Sequence, residues 1–96
     1  MPFTHIVTFK WSDENFDSRP VVEALHAVVA TADGVQSYTV GPDIGLSPGS
    51  FDFAVVGVFD DRETYTTYRD NPEHLRIIRE MITPHIETRA VVQLED

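Results

Sequence analysis

The chain has 96 residues, of which 42% are hydrophobic, and its sixteen acidic residues against seven basic ones give a net charge of −9. This length predicts a single domain over residues 1–96 that buries only about 60–65% of its unfolded surface, so oligomerisation would add to its stability. The negative charge argues against nucleic-acid binding through phosphates, and the absence of cysteine excludes disulfides and thiolate chemistry. No apolar run is long enough to span a membrane, and the N-terminus lacks the pattern of a signal peptide, so a cytoplasmic protein is expected.

The N-terminal third of the chain predicts a strand followed by a helix. Residues 3–11 alternate aromatic and β-branched side chains between two faces, which is typical of a strand. Ser18 or Asp17 can cap a helix that begins near residue 19, and Gly34 is expected to end it. The helix carries one apolar stripe at i, i+3 and i+4 spacing, which consists of Val21, Val22, Leu25, Val28, Val29 and Ala32.

The rest of the chain predicts three more strands and one interrupted helix. Strands are predicted at 35–41, 51–59 and 86–95, with a glycine- and proline-rich loop at 41–50. Between the last two strands, a first helical piece begins at Asp60 or Asp61 and a second begins at Pro72 and stops at Pro84. The second piece is expected to bury Leu75, Ile78 and Ile82. The order βαββαβ predicts an α+β, ferredoxin-like antiparallel sheet with helices on one face.

The third strand is apolar on both faces, whereas a sheet with one wet face alternates apolar with polar residues. One face carries Phe51, Phe53, Val55 and Phe59, and the other carries Ala54, Val56 and Val58. Ile6 adds to the second face from the first strand. Because two helices cover only one side, we expect a homodimer that packs sheet against sheet through the open face. Scattered exposed apolar residues, which are common, are the alternative.

The segment between the two helical pieces, Asn71-Pro72-Glu73-His74, combines a strong N-cap with a proline that suits the first helical position. His74 then falls in the first turn of the new helix. The positive end of the helix dipole there disfavours a charged imidazole, so the pKa of His74 should be lowered. A neutral imidazole can act as a general base near pH 7.

Two further polar residues are candidates for the same site. His5 lies on the otherwise apolar face of the first strand, and Tyr68 precedes the helix break by three residues. A histidine on such a face needs a polar partner or a cavity, and a core histidine bonded to the backbone or to tyrosine is the structural alternative. Spacing alone does not bring these residues together.

The other histidines, His26 and His85, are expected to be structural or solvated. No histidine or carboxylate spacing predicts a metal site. The glycines at 41, 45 and 49 are turn residues without the context of a dinucleotide-binding loop. No cofactor is therefore expected.

Five segments in this order resemble the stress-responsive A/B barrel domain (Dabb) family of dimeric α+β barrels. They are "THIVTFKW", "YTVGPDI", "FDFAVVGVFDD", "YRDNPEH" and "TRAVVQLE". The resemblance covers nearly the whole chain and implies two ferredoxin-like units packed sheet to sheet. Known members include plant stress proteins and a polyketide cyclase, olivetolic acid cyclase.

By resemblance to the cyclase, His5 and His74 match pocket histidines and Tyr68 matches a pocket tyrosine, which makes these three the candidate catalytic residues. Three departures from that pattern matter: the tyrosine on the first helix of the cyclase has no placed counterpart in this chain, and two positions carry different residues. Asn71 and Phe53 stand where the cyclase has two further histidines, so the resemblance implies a pocket more firmly than a reaction.

The resulting hypothesis is a homodimer that binds a hydrophobic or aromatic small molecule between sheet and helices, with possible acid/base chemistry of the cyclase type. The apolar walls are expected to be Phe3, Val7, Phe53 and Phe59. One alternative is a non-catalytic stress or assembly protein in which the histidines are structural. A further alternative is a cofactor-free monooxygenase, an activity known from other dimeric α+β barrels.

Overall fold

A computed structural model describes residues 1–96 and contains the predicted elements in the predicted order. The strands are β1 (Phe3–Trp11), β2 (Val35–Pro42), β3 (Phe53–Phe59) and β4 (Ile86–Glu95). The α-helices are α1 (Arg19–Val29), α2 (Arg62–Arg69) and α3 (Pro72–Ile77). A π-helical turn at Ile78–Ile82 and a 3₁₀ turn at Thr83–His85 continue α3 as far as β4.

The four strands form one antiparallel sheet in the order β2-β3-β1-β4, which confirms the ferredoxin-like α+β fold. The helices lie on one face of this sheet. The core between them contains fourteen buried residues, and its most deeply buried side chains are Phe53, Phe59, Leu25, Ile77 and Val21.

Two predicted boundaries are wrong, and each lies beside a hydrogen bond between a side chain and the backbone. Helix α1 stops at Val29, five residues before Gly34. At this end of the helix the Thr31 hydroxyl donates to the Val28 carbonyl at 2.8 Å. Strand β3 starts at Phe53 and not at residue 51. Just before it, the Asp52 carboxylate accepts the Trp11 N–H at 2.9 Å in place of a backbone ladder bond.

The predicted stripe of the second helical piece is also wrong in part. His74, Ile77 and Ile82 are buried, whereas Leu75 is 44% exposed. The Thr83 N–H donates to the Ile78 carbonyl five residues earlier. This wider turn changes the spacing between buried positions, which sequence periodicity of 3.6 residues does not anticipate.

The face of the sheet opposite the helices carries a largely apolar surface, which Thr4 and Thr8 of β1 interrupt. Its central row places Val56, Ile6 and Val92 side by side on β3, β1 and β4, and the next row adds Val58 and Leu94. Val92 is 54% and Leu94 is 51% exposed in the single chain. The prediction that β3 carries apolar residues on both faces is confirmed. The apolar part of the open face also continues onto β4 through Val92 and Leu94.

Candidate functional site

The helix break at Pro72 positions His74. The Asn71 side chain accepts the Glu73 N–H at 2.8 Å and the His74 N–H at 3.3 Å, which confirms Asn71 as the cap. In an uninterrupted helix the Glu73 N–H would bond to the Arg69 carbonyl four residues earlier. The break leaves that carbonyl free, and the His74 imidazole lies against it with an Nδ1–oxygen distance of 2.9 Å.

This hydrogen bond determines which nitrogen of His74 is basic. A carbonyl oxygen only accepts, so Nδ1 carries the hydrogen and Nε2 has the free lone pair. Nε2 has no hydrogen-bond partner within the protein. Every fully buried side-chain nitrogen or oxygen has such a partner, so Nε2 is not fully buried. The Nε2 atom is therefore open to solvent or to a ligand although the residue is only 9% exposed.

The pKa of His74 is lowered, as the sequence predicted, and the main cause is burial of the ring. The bond to the Arg69 carbonyl and the nearby Asp70 carboxylate act in the opposite direction and are weaker. His74 is thus held toward its neutral form.

His5 has the opposite tautomer. It lies on β1 directly opposite Gln93 of β4, and the Gln93 amide nitrogen is 3.1 Å from Nδ1. An amide nitrogen only donates, so Nδ1 accepts and the hydrogen resides on Nε2. Burial, followed by the charges of His74 and Arg89, lowers the pKa of His5 to about 4. His5 is therefore neutral at pH 7 and offers an N–H.

A row of aromatic rings joins the two histidines. His5 packs on Tyr65 with ring centroids 4.8 Å apart, and His74 packs on Tyr68 at 4.3 Å. Phe59 contacts both tyrosines, at 5.4 and 5.2 Å. A charge on His74 lowers the pKa of His5, so the two imidazoles also interact electrostatically. A chain of ring contacts thus links His5 on β1 to His74 on α3 on the helix side of the sheet.

Tyr68 is paired inside the protein. Its hydroxyl lies 2.7 Å from the hydroxyl of Tyr38 on β2. Burial raises the pKa of Tyr38 to about 12 and raises that of Tyr68 as well, so both phenols keep their protons. Tyr68 contacts His74 through a tilted ring pair, and its hydroxyl is already engaged by Tyr38.

Sequence reasoning missed three residues of this neighbourhood: Tyr38, Tyr65 and Gln93. Gln93 donates to both His5 and the Tyr65 hydroxyl, the latter at 3.3 Å. The only available signals were the alternation along β4 and the i, i+3 spacing of Tyr65 and Tyr68. Neither signal shows which side chains meet across the sheet.

The four residues expected to form apolar walls are at most 7% exposed and belong to the hydrophobic core. Phe3 and Phe59 lie beneath Tyr65, near the histidines. Phe53 packs against Trp11 with centroids 5.4 Å apart and belongs to a separate aromatic group. Val7 is buried in the same core. Their role as ligand walls remains a prediction.

A surface groove between α1 and α3 is lined by neither of the two imidazoles. It has a volume of about 350 Å³ and is lined by Ala24, Ala27, Val28, Thr31, Asn71, Glu73 and Arg76. No group of three or more histidine and carboxylate side chains converges as a metal site would require. None of the helices has the length and apolar character needed to cross a bilayer.

The remaining histidines have the structural or solvated surroundings expected of them. His26 is exposed on α1, with its ring edge toward Tyr38 at 6.1 Å. His85 is half-buried and stacks on Phe16 at 4.4 Å. Neither lies among the residues that surround His5 and His74.

The fold is a ferredoxin-like α+β fold, with His5 and His74 on the side of the sheet that the helices cover. The sequence profile of the stress responsive A/B barrel domain matches residues 3–96, so the chain belongs to the Dabb family. No curated protein shows significant sequence similarity to it.

Solved structures agree with this family. A dimeric ferredoxin-like protein of unknown function from Thermobifida fusca is 32% identical, with 98% of this chain and 90% of that chain covered and a TM-score of 0.87. A Dabb family protein from Mesorhizobium loti is 23% identical, with coverages of 99% and 96% and a TM-score of 0.79. A hydroxynitrile lyase from Passiflora edulis is 17% identical, with coverages of 97% and 91% and a TM-score of 0.69, a likeness of fold alone.

Proposed function

We propose that this protein is a homodimer that binds a hydrophobic or aromatic small molecule beside His5 and His74 and exchanges a proton with it. The observation that carries this proposal is the pair of opposite tautomers. His74 offers a bare Nε2 to accept a proton, and His5 offers an Nε2–H to donate a hydrogen bond. Both rings are held neutral by burial.

Such a pair suits removal of a proton next to a carbonyl group. His74 Nε2 would take the proton from carbon, and the electron pair would move onto the carbonyl oxygen as an enolate. The His5 N–H would stabilise that oxygen. Tyr68 is a weaker candidate for the donor because its hydroxyl is bonded to Tyr38. The enolate could then attack a second carbonyl of the same molecule, as in a cyclase-like aldol reaction, or react with oxygen, as in a cofactor-free monooxygenase.

The proposed dimer places a second copy on the open sheet face. Support comes from the apolar rows that end in the exposed Val92 and Leu94 and from the dimeric relative of 32% identity. Burial of such a surface against a symmetric copy would stabilise a chain whose own core is small.

A non-catalytic assembly protein is the second candidate, and two observations favour it. Both imidazoles already have a hydrogen bond within the protein, to Arg69 and Gln93. The groove between α1 and α3 is lined by neither of them. In this alternative His5 and His74 only tie strand to helix, and the dimer itself is the functional unit.

Native mass spectrometry of the purified protein should show a dimer that carries a small molecule. The acid/base role is tested by deuterium exchange at the carbon next to the carbonyl of phenylacetone in D₂O, followed by proton NMR. The wild type should accelerate exchange, and His74→Gln should remove at least about 90% of the acceleration, since general bases contribute about 10²–10⁴-fold. His26→Gln is the matched control and should retain it.

The two candidates give different results in these measurements. A bare dimer without exchange activity supports the assembly protein and contradicts the proposal. Exchange that survives His74→Gln would show that another group is the base.

A further inference from the structure

One arginine differs from the other five in its surroundings. Sixteen acidic residues compete for seven basic ones, and five arginines have a carboxylate partner. The pairs are Arg19–Asp17, Arg62–Glu95, Arg69–Asp70, Arg76–Glu73 and Arg79–Glu80. Arg89 has no ion pair and no side-chain hydrogen bond. It is an exposed residue in the middle of β4.

The register of β4 places Arg89 on the same face of the sheet as His5. Arg89 lies opposite Phe9, Val91 lies opposite Val7 and Gln93 lies opposite His5. Alternate residues of a strand share a face, so Arg89, Val91 and Gln93 form one row on the helix side. Burial is the main influence on both neighbouring rings, lowering the pKa of His5 and raising that of Tyr65, and the Arg89 charge adds a smaller, lowering contribution to each.

Hydrogen-bond donors dominate this row. Arg89 brings its guanidinium, His5 its Nε2–H, and the Tyr65 hydroxyl keeps its hydrogen because it accepts from Gln93. The Asp70 carboxylate acts on the pKa of Tyr65 but is held by Arg69 through bonds of 2.9 and 3.1 Å. The row of Arg89, Val91 and Gln93 therefore carries one cation without a carboxylate partner on an acidic protein.

An apolar side chain interrupts the donors. Val91 stands between Arg89 and Gln93 and is 38% exposed on the helix side of an edge strand. A molecule lying along the row would meet a cation at one end, an apolar contact in the middle and neutral donors at the other end. This sequence of contacts complements an amphipathic anion.

We propose that the row of Arg89, Val91 and Gln93 beside His5 binds the carboxylate of a hydrophobic or aromatic acid, with Arg89 as the anchor of the anion. This inference rests on the proposed function and specifies its ligand class. Arginine suits the role because its planar fork matches a carboxylate with two parallel hydrogen bonds.

The test compares 1-naphthoate with the neutral 1-naphthamide by titration into ¹⁵N-labelled protein, followed by ¹H–¹⁵N NMR. Wild type should bind naphthoate more tightly, with the largest shifts at the Val91 backbone and the Gln93 side-chain amide. Arg89→Gln should weaken naphthoate binding about tenfold or more, as expected for a lost hydrogen bond to a charged group, and leave naphthamide binding unchanged. Arg19→Gln makes the same change in net charge at an arginine of α1 that already has a carboxylate partner, and it should behave as wild type.

Each contrary result has its own meaning. Equal binding of the acid and the amide at His5 and His74 would overturn the anion anchor and leave the proposed function standing. Absence of binding by either probe would overturn both. If Arg89→Gln weakens self-association and not naphthoate binding, then Arg89 pairs with a carboxylate of a second copy and the anchor is wrong.

Discussion

Val91 and Val92 allow a matched test of the proposed dimer. They are neighbours on β4, both are partly exposed valines, and they project from opposite faces of the sheet. Val92 lies on the open apolar face, beside Ile6. We expect Val92→Asp to dissociate the dimer and Val91→Asp to leave it intact.

The expected magnitude follows from the two-fold symmetry of such an interface. Burying a valine or leucine side chain contributes about 1.5–3 kcal/mol, and each substitution occurs twice in a symmetric dimer. The loss is therefore about 3–6 kcal/mol, which weakens association by a factor of about 10²–10⁴. Desolvation of two carboxylates without partners adds to this effect.

Sedimentation velocity over nanomolar to micromolar concentrations measures the dissociation constant of each variant. Circular dichroism should show that both variants remain folded, since each position is already partly open to water in the single chain. Equal effects of the two substitutions would refute a dimer built on this face. A wild-type protein that sediments as a monomer at micromolar concentration would refute the dimer itself.

Three further results are expected. Tyr38→Phe should lower the free energy of unfolding in urea by about 1–3 kcal/mol because it leaves the Tyr68 hydroxyl without its bond of 2.7 Å. If Tyr38→Phe lowered it by the same amount in a Tyr68→Phe background, where the bond is already absent, the coupling would be contradicted. Gly34→Ala should lower the melting temperature more than Gly45→Ala. Both glycines have positive φ angles, of 77° and 75°, but only at Gly34 would the new Cβ lie 2.6 Å from a threonine methyl of α2. Equal melting temperatures would contradict this. His5 has a folded pKa of about 4, below its ordinary value of 6.5, so its stabilising contribution is full above about pH 6.5 and is lost as the pH falls through 4. The urea midpoint should fall less over this range in His5→Gln, and an identical pH profile would contradict the assignment.

Local chemistry made much of the fold predictable. The Asp61 and Asn71 caps involve backbone amides two or three residues away, so composition and order alone identify them. The alternation of β3 likewise predicts two buried faces before any partner is known. Where the structure differs, a tertiary contact or an irregular turn decides, as at Asp52 and in the π-helical turn after Ile77.

The candidate site was predictable only residue by residue. His5 and His74 could be selected because each is a polar residue in an unusual local position. Their partners are distant in sequence: Gln93 is 88 residues from His5, and Tyr38 is 30 residues from Tyr68. Strand register brings these side chains together, and no short-range pattern encodes it.

The helix break therefore does more than end one helix and start another. Pro72 forces Asn71 out of the helical region, Asn71 takes the amide of Glu73, and the Arg69 carbonyl is left for His74. A substitution that restored a continuous helix would return that carbonyl to the backbone and free the imidazole to adopt either tautomer. The position of the proton on the His74 ring thus depends on a backbone carbonyl that the helix break leaves free.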